Sequence, residues 1–270
     1  TKQFGIRGYA TSVHTACASG GQAIGTALKV MRRGQCDFML AGGFDSMINP
    51  IGISGFCLLG ALSTDNDNPT GASRPFDANR NGFVLGEGAG FLVLEDWERA
   101  RSRGAKIYAE LAGDGNSLSS YRITDSPPDG NGPIQAIQQA LADAGITADG
   151  IDYVNAHGTS TQMNDRSECA ALKSVFAGRI EEVRVSSTKS SMGHLIAAAG
   201  AVEAVVCCLA IRDSVAPFTA NFETPDPDCD VNLVTGSPQP MKIRAALSNS
   251  LGFGGSNSSL VFRNPEEVES

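Results

Sequence analysis

The sequence predicts an α/β layered fold. Short apolar strand-like runs alternate with helical patterns along its whole length, and glycine is abundant, at 31 of 270 residues. With 41% hydrophobic and 19% charged residues, the composition is that of a globular protein with one large domain or two ordinary ones. A net charge of −8 argues against nucleic acid as the main partner, because phosphate binding needs a basic surface. No apolar run reaches membrane-spanning length and no signal-peptide pattern opens the sequence.

The elements follow from periodicity. Tyr9 to Thr15 reads as a strand, Ser19 to Arg33 as a helix with Ile24, Ala27, Leu28 and Met31 on one face, and Cys36 to Gly42 as a buried strand. GFVLGEGAGFLVLED, from Gly82, reads as two strand segments broken by glycines; a charged helix, Trp97 to Arg103, and a strand, Ile107 to Ala112, follow. SLSSYRITDSPPDGNG is a turn-rich surface loop. The rhythm then repeats: helix Pro133 to Ala144, strand Ile151 to Asn155, helix Asp165 to Phe176, strand Val183 to Ser186, and a helix from Ala197 to Arg212 apolar nearly all round. A Pro/Asp-rich loop from Pro217 to Cys229 precedes strands Ala245 to Leu251 and Ser258 to Phe262, joined by GFGGSN. Both parts end in a glycine-punctuated strand pair, which hints at duplication.

Seven cysteines, an odd number, lack CxxC or Cys/His ligand spacing, so neither a disulfide framework nor a metal site is expected and a reducing, cytoplasmic location fits. Cys36, Cys57, Cys207 and Cys208 read as small buried hydrophobes. Cys17, in HTACASGG, stands apart because it precedes a helix. The exposed N–H groups of a helix start favour a thiolate, and Gly20 and Gly21 would leave room for a carbonyl to approach. Of three histidines, His157 sits in NAHGTST at the end of a buried strand, where α/β sheets place ligands, and His194 sits with Lys189 in STKSSMGH ahead of an apolar helix. Each alone is most simply structural; together with Cys17 they point to catalysis. There is no phosphate-loop or dinucleotide fingerprint.

ACASG, NAHGTST, STKSSMGH and GFGGSN, with RPFDANRNGFVLGEGAG at 74 to 90, occur in the order in which the β-ketoacyl-acyl-carrier-protein synthases carry them, and the chain resembles the elongating type II enzymes of fatty acid and polyketide synthesis. The resemblance implies a thiolase-like fold: duplicated α/β/α/β/α layered halves with mixed five-stranded sheets, divided here as 1–112 and 113–270. It implies a decarboxylating Claisen condensation between an acyl-cysteine and malonyl-acyl carrier protein. Cys17 would be the nucleophile, and His157 and His194 would stabilise enolate charge. Lys189 would order the site with Glu203 as its charged partner, and the N–H groups of Cys17 and Phe253 would form the oxyanion hole, Phe253 also acting as gate. Gly252, Gly254, Gly255, Asn257, Thr159 and Thr161 would support it. No resident cofactor or metal is implied, since substrates ride on the phosphopantetheine of the acyl carrier protein.

Two features depart from the family pattern. Synthases carry roughly a further third of chain ahead of the position of Thr1, and TKQFGIRGYA looks like a cut end. A second chain or that segment is therefore expected to complete a homo- or heterodimer, whether the protein is a split synthase, a piece of a longer one or a degenerate domain. Gly60 stands where relatives often place a carrier-receiving arginine, leaving Arg32, Arg33, Arg74 and Arg80 as the candidate basic patch. Competing classes are a non-catalytic partner subunit like a chain-length factor, which would lack Cys17, another acyl-thioester transferase, and a thiol hydrolase in which Asn155 or Asp165 orients His157.

Overall fold

The computed structural model describes residues 2–268; Thr1, Glu269 and Ser270, the outer ends of both expected halves, lie outside the described residues. In chain order the elements are α1 (Ser19–Arg32), β1 (Phe38–Asp45), α2 (Pro50–Leu58), β2 (Gly88–Glu95), α3 (Trp97–Ser102), β3 (Glu110–Leu118), α4 (Asn131–Ala144), β4 (Tyr153–Asn155), α5 (Gln162–Val175), β5 (Arg184–Ser186), α6 (Lys189–Met192), α7 (Ala199–Asp213), β6 (Val215–Ala216), β7 (Gln239–Pro240), β8 (Ala245–Leu251), β9 (Ser256–Arg263) and α8 (Pro265–Val268). No helix among the described residues is long and apolar enough to cross a membrane.

The C-terminal half is built on a mixed five-stranded sheet, ordered β3-β9-β8-β4-β5. β4 runs parallel to β8 and β5, while β9 is antiparallel to β8 and β3. Every residue of β8 is buried, as suits a strand covered on both faces. Helices α4 and α5 cover one face through Ile137, Leu141, Cys169 and Leu172. The other face meets α1 and α7, which pair Ile24 and Ala27 with Ala204, Cys207 and Ile211. Beyond α1 and α7 lies the N-terminal half's sheet, which among the described residues is the antiparallel pair β1–β2. The layers are thus β/α/β/α, with α1 and α7 sandwiched in the middle.

Several elements differ from the periodicity reading. Tyr9 to Thr15 forms no strand, since no neighbour among the described residues pairs with it along its length. The run from Cys36 becomes β1, buried on one face only, with Phe38, Leu40 and Phe44 exposed. Of the two segments in GFVLGEGAGFLVLED only the second is a strand; Phe83 and Leu85 make single bridges to Leu62 and His194, so the strand pair of this half is β1–β2. β3 starts at Glu110, extends through GDGN to Leu118, and crosses the 112/113 boundary expected between the halves. Gly113 and Gly115 belong in a strand because α4 lies directly on them: a Cβ there would stand 2.3 Å from Ala140 O and 2.0 Å from Ala136 O. Cys36 is half-buried and Cys57 is exposed on α2, unlike Cys207 and Cys208, which are buried on α7.

Candidate active site

A cavity of about 280 Å³ opens where the two halves meet, with Cys17, Phe83, His157, His194 and Phe253 in its wall. Each arrives on a break in regular structure. Cys17 lies two residues ahead of α1 on an elbow in which Ala16 has φ +50°, a conformation that is costly for a non-glycine residue. The elbow is held by Ser19, whose hydroxyl accepts from Thr15 N at 2.9 Å and donates to Ala16 O at 2.7 Å. Gly20 and Gly21 do not open the space for a carbonyl that their lack of side chains suggests: a Cβ at Gly20 would lie 2.7 Å from Ala201 N of α7, and one at Gly21 would lie 3.0 Å from Ser258 Oγ of β9, so these glycines let α1 pack against α7 and the sheet.

His157 follows β4, and its loop is pinned through its backbone. Glu168, buried on α5, accepts from the N–H groups of His157 and Gly158, both at 2.8 Å, and from Asn249 Nδ2 at 3.2 Å. Three residues earlier on the same helix, Asp165 accepts from Thr159 N at 3.0 Å and Phe76 N at 2.8 Å. Arg80 lies 3.4 Å from Asp165 and 2.7 Å from Asp226, and its side chain is fully buried. Arg80 therefore cannot belong to a surface basic patch, its charge serving the interior, and Arg74, only 13% exposed and 3.9 Å from exposed Glu223, cannot contribute much to one. Arg32 remains at the surface but is committed to Asp143 at 2.8 Å, and Arg33 is exposed. The sequence points to Asp165 only as a residue that could orient the His157 ring in a hydrolase, and not to Arg80, Asp226 or Glu168 as supports for its loop. The one available signal was the spacing of Asp165 and Glu168 on one helix face directly after NAHGTST.

His194 Nε2 lies 3.1 Å from Cys17 Sγ, and Lys189 Nζ lies 3.2 Å from His157 Nδ1. Lys189, itself buried, forms an ion pair with buried Glu203. The two imidazoles meet edge to face, centroids 5.2 Å apart, and Phe83 stands edge to face on His194 at 5.1 Å. Tautomers follow from what each Nδ1 receives. An ammonium can only donate, so His157 Nδ1 is an acceptor; His194 Nδ1 accepts from Ile196 N at 3.2 Å. Both rings therefore carry their proton on Nε2, on the cavity side. Burial holds both histidines well below their ordinary range, and the Lys189 charge pushes the same way, so both are neutral.

Burial also raises the Cys17 thiol to about 11, outweighing Lys189 and the N–H groups of Phe253 and Cys17 that favour the thiolate. The helix start was expected to lower that value; Cys17 is 5% exposed, and desolvation wins. Burial likewise lifts Glu203 to about 7 against the pull of Lys189. Cys17 Sγ and the two imidazoles place their donor atoms within 4.8 Å of one another, a sulfur and two nitrogens of the kind zinc takes, although the Nε2 protons occupy the lone pairs a metal would use.

The remaining expected residues fall into two groups. Thr159 and Thr161 line the cavity, their hydroxyls 2.9 Å apart, and Gly252 packs on the elbow, where a Cβ would lie 2.6 Å from Thr15 O. Gly254 and Gly255 have φ of +80° and +82°, and Gly254 N donates to Ile123 O at 2.6 Å. Asn257 lies off the cavity and ties the turn to β3, donating to Ser119 Oγ at 2.9 Å and Ser117 Oγ at 3.1 Å. Asn155 and Asp165, candidates for orienting His157 in a hydrolase, do not touch its ring: Asn155 reaches Thr188 Oγ1 at 3.5 Å and Asp165 binds backbone.

Comparison with known proteins agrees with this arrangement. Residues 1–100 match the family model for the β-ketoacyl synthase N-terminal domain and residues 108–223 that for the β-ketoacyl synthase C-terminal domain. A 3-oxoacyl-[acyl-carrier-protein] synthase 2 of Rhizobium meliloti (strain 1021) is 50% identical over 259 residues, covering 96% of this chain and 61% of the relative. Among solved structures, a type II PKS acyl-carrier protein in complex with its ketosynthase bound to the hexaketide superposes with a TM-score of 0.95 at 41% identity, over 97% of this chain and 64% of that one. The ishigamide ketosynthase/chain length factor gives 0.88 at 38% identity, over 94% and 60%. The chain thus spans about three-fifths of the length of the proteins it matches. Its architecture is the thiolase-like ketosynthase fold. With both domain models matched in order, and a cysteine and two histidines converging where those domains meet, the chain belongs to the β-ketoacyl synthase family.

Proposed function

We propose that this chain supplies the catalytic centre of an elongating β-ketoacyl-acyl-carrier-protein synthase, which condenses an acyl-cysteine with malonyl-acyl carrier protein and lengthens a fatty acid or polyketide chain by two carbons. The observation that carries this reading is the pair of neutral imidazoles presenting Nε2–H beside a buried cysteine. Two hydrogen-bond donors with no base between them suit stabilisation of an enolate oxygen and not the activation of water. A Cys–His hydrolase needs a carboxylate or amide on the far side of its histidine; His157 has an ammonium there.

Cys17 Sγ adds to the carbonyl carbon of an acyl thioester while the N–H groups of Cys17 and Phe253 receive the oxyanion. The pantetheine sulfur leaves with the thiol proton, so no histidine need become cationic beside Lys189. Malonyl thioester then binds with its carbonyl oxygen between His157 and His194. The bond to its carboxylate breaks, carbon dioxide departs, and the electron pair becomes an enolate held by the two Nε2–H donors. The enolate carbon attacks the acyl-cysteine carbonyl, the C–S bond breaks, and Cys17 leaves as a thiolate that regains a proton from water. Lys189 and Glu203 act through the rings, fixing the His157 tautomer. Thr159 and Thr161, which line the cavity, would meet the amides of the pantetheine arm, while Gly252, Gly254, Gly255 and Asn257 would shape the turn that presents Phe253 as donor and gate.

No resident cofactor enters this reading. The partner is an acyl carrier protein, supported by the ketosynthase–carrier complex that this chain resembles, and a second chain or further segment completing a homo- or heterodimer. The two-half division belongs to the same reading, with the boundary ahead of β3, because β3 pairs wholly with β9 of the C-terminal sheet.

Intact-mass spectrometry after exposure to a carrier protein loaded with a medium-chain acyl group should show an acyl adduct that maps to Cys17 and vanishes in Cys17→Ala. Chain elongation at the parental rate by an assembly carrying Cys17→Ala would overturn the assignment.

A further inference from the structure

The turn between His194 and α7 is built from both halves of the chain, and its strain is unexplained by either half alone. Ile196 adopts φ +49°, a region that a β-branched residue enters only under strain. In that conformation the Ile196 N–H points back at His194 Nδ1, at 3.2 Å, and so dictates that His194 offers Nε2–H to the cavity. Within the turn the local restraint is one backbone bond, from Ala198 N to Leu195 O at 3.0 Å. The residues before α7 make no side-chain cap, and His194's own backbone is bonded elsewhere, its N–H to Val84 O at 2.7 Å and its C=O to Gly86 N at 2.9 Å.

The missing restraint comes from the other half. Asp45, the last residue of β1, accepts from Ala197 N at 3.0 Å through Oδ2, and β1 presses so closely that a Cβ on Gly43 would stand 2.9 Å from Ala197 O. We infer that Asp45 is a positioning residue for His194: by gripping Ala197 N it holds Ile196 in its strained conformation, and through the Ile196 N–H it fixes the tautomer of a ring that lines the same cavity as Cys17. This inference rests on the proposed role of His194 as a donor for its importance, but the tautomer itself can be read without any turnover.

The test uses the whole 270-residue chain, ¹⁵N-labelled at histidine, with the ring nitrogens of His194 assigned by comparison with His194→Gln. The parent should show protonated Nε2 and bare Nδ1. Asp45→Ala should shift the two nitrogen resonances toward each other as tautomers mix, and decarboxylation of malonyl-acyl carrier protein should fall about tenfold in kcat with KM held, less than removal of a whole donor would cost. Asp45→Asn, which retains an acceptor oxygen, should keep the parental pattern. Adding Ile196→Gly to Asp45→Ala should restore it, because glycine occupies positive φ without strain and needs no clamp; a purely structural loss at Asp45 would not respond to that second change. If Asp45→Ala does not fold, the double variant decides: a folded chain with protonated Nε2 supports the inference. A parental pattern in Asp45→Ala, or a double variant that stays mixed or unfolded, overturns it. Absence of decarboxylation in every form, parent included, would count against the functional reading alone, since the nitrogen resonances decide the inference separately.

Discussion

In the C-terminal half all of β8 is buried and β9 nearly so, whereas in the N-terminal half β1 and β2 are buried on one face and open on the other, with Leu40 and Val93 directly paired and more than half exposed. The same contrast governs the cavity. His157 is anchored by Glu168, by Asp165 and through it by Arg80, all buried, while the Cys17 elbow depends on one serine and on contacts made by the opposite half. His157 is set in a buried scaffold, whereas His194, whose turn Asp45 grips, and the nucleophile are set between the halves. Precision at His157 therefore comes from α5 of the C-terminal half braced by Arg80, and the N-terminal half delivers that guanidinium, a thiol and Asp45 to the site.

The sharpest way to break that comparison is to damage the scaffold. Arg80→Met leaves Asp165 and Asp226 buried without their shared counter-charge, which should cost about 3–5 kcal/mol in urea unfolding followed by circular dichroism. A loss below about 1 kcal/mol would mean that the cluster does not anchor the His157 loop.

The next effect concerns the thiol. Burial raises the folded-state value to about 11, above an ordinary thiol, so the protonated form dominates at neutral pH and the thiolate appears only as pH climbs toward that value. At pH 8 the thiolate fraction is about one in a thousand, and iodoacetamide alkylation of Cys17 should rise about tenfold per pH unit through pH 8 to 10. Exposed Cys57 should label first. Mass-mapped alkylation that levels off at Cys17 below pH 9 would show that the N–H groups and Lys189 overcome burial.

A smaller effect tests the contact between halves. Gly252→Ala puts a methyl 2.6 Å from Thr15 O, so the elbow or the Phe253 turn must move. Acyl transfer to Cys17 should slow about tenfold, because displacing a reacting atom by a fraction of an ångström is enough to do so. Single-turnover acylation measured at fixed carrier concentration checks it, and an unchanged rate would place the oxyanion donors elsewhere.

The site was far more legible in the sequence than the scaffold. Cys17, His157, Lys189 and His194 lie in short motifs whose polar and glycine residues interrupt apolar runs, and such interruptions stand out in one dimension. Arg80 and Asp45 do not, since each is an ordinary charged residue whose partner is distant in sequence, as Ala197 is from Asp45, and Glu168 is inconspicuous because it binds nearby backbone N–H groups, which any residue supplies. The fold shows the same limit. Helices α1, α4 and α7 follow from their own periodicity, but β3 hides in Leu111 to Ser117, where GDGN mimics a turn until α4 is laid across its glycines. Tyr9 to Thr15 errs the other way: its pattern suits a strand, but strand pairing is a property of two segments, and no described segment pairs with it along its length. The thiol was misjudged for a related reason, because a helix start is visible in sequence and desolvation is not.

The mildest change probes the open face. Leu40 is 53% exposed, so Leu40→Ala should cost no more than about 0.5 kcal/mol in this chain, whereas Leu247→Ala on β4's neighbour β8 should cost about 2–5 kcal/mol, since Leu247 is fully buried. The two substitutions remove the same atoms, so their difference measures burial alone. A cost at Leu40 that approaches the one at Leu247 would show that the open face of β1–β2 is covered in solution. Repeating the unfolding at a tenfold different protein concentration would then decide how: a cost that grows with concentration means that a second copy of the chain covers it, and a constant cost means that the chain covers it with its own residues.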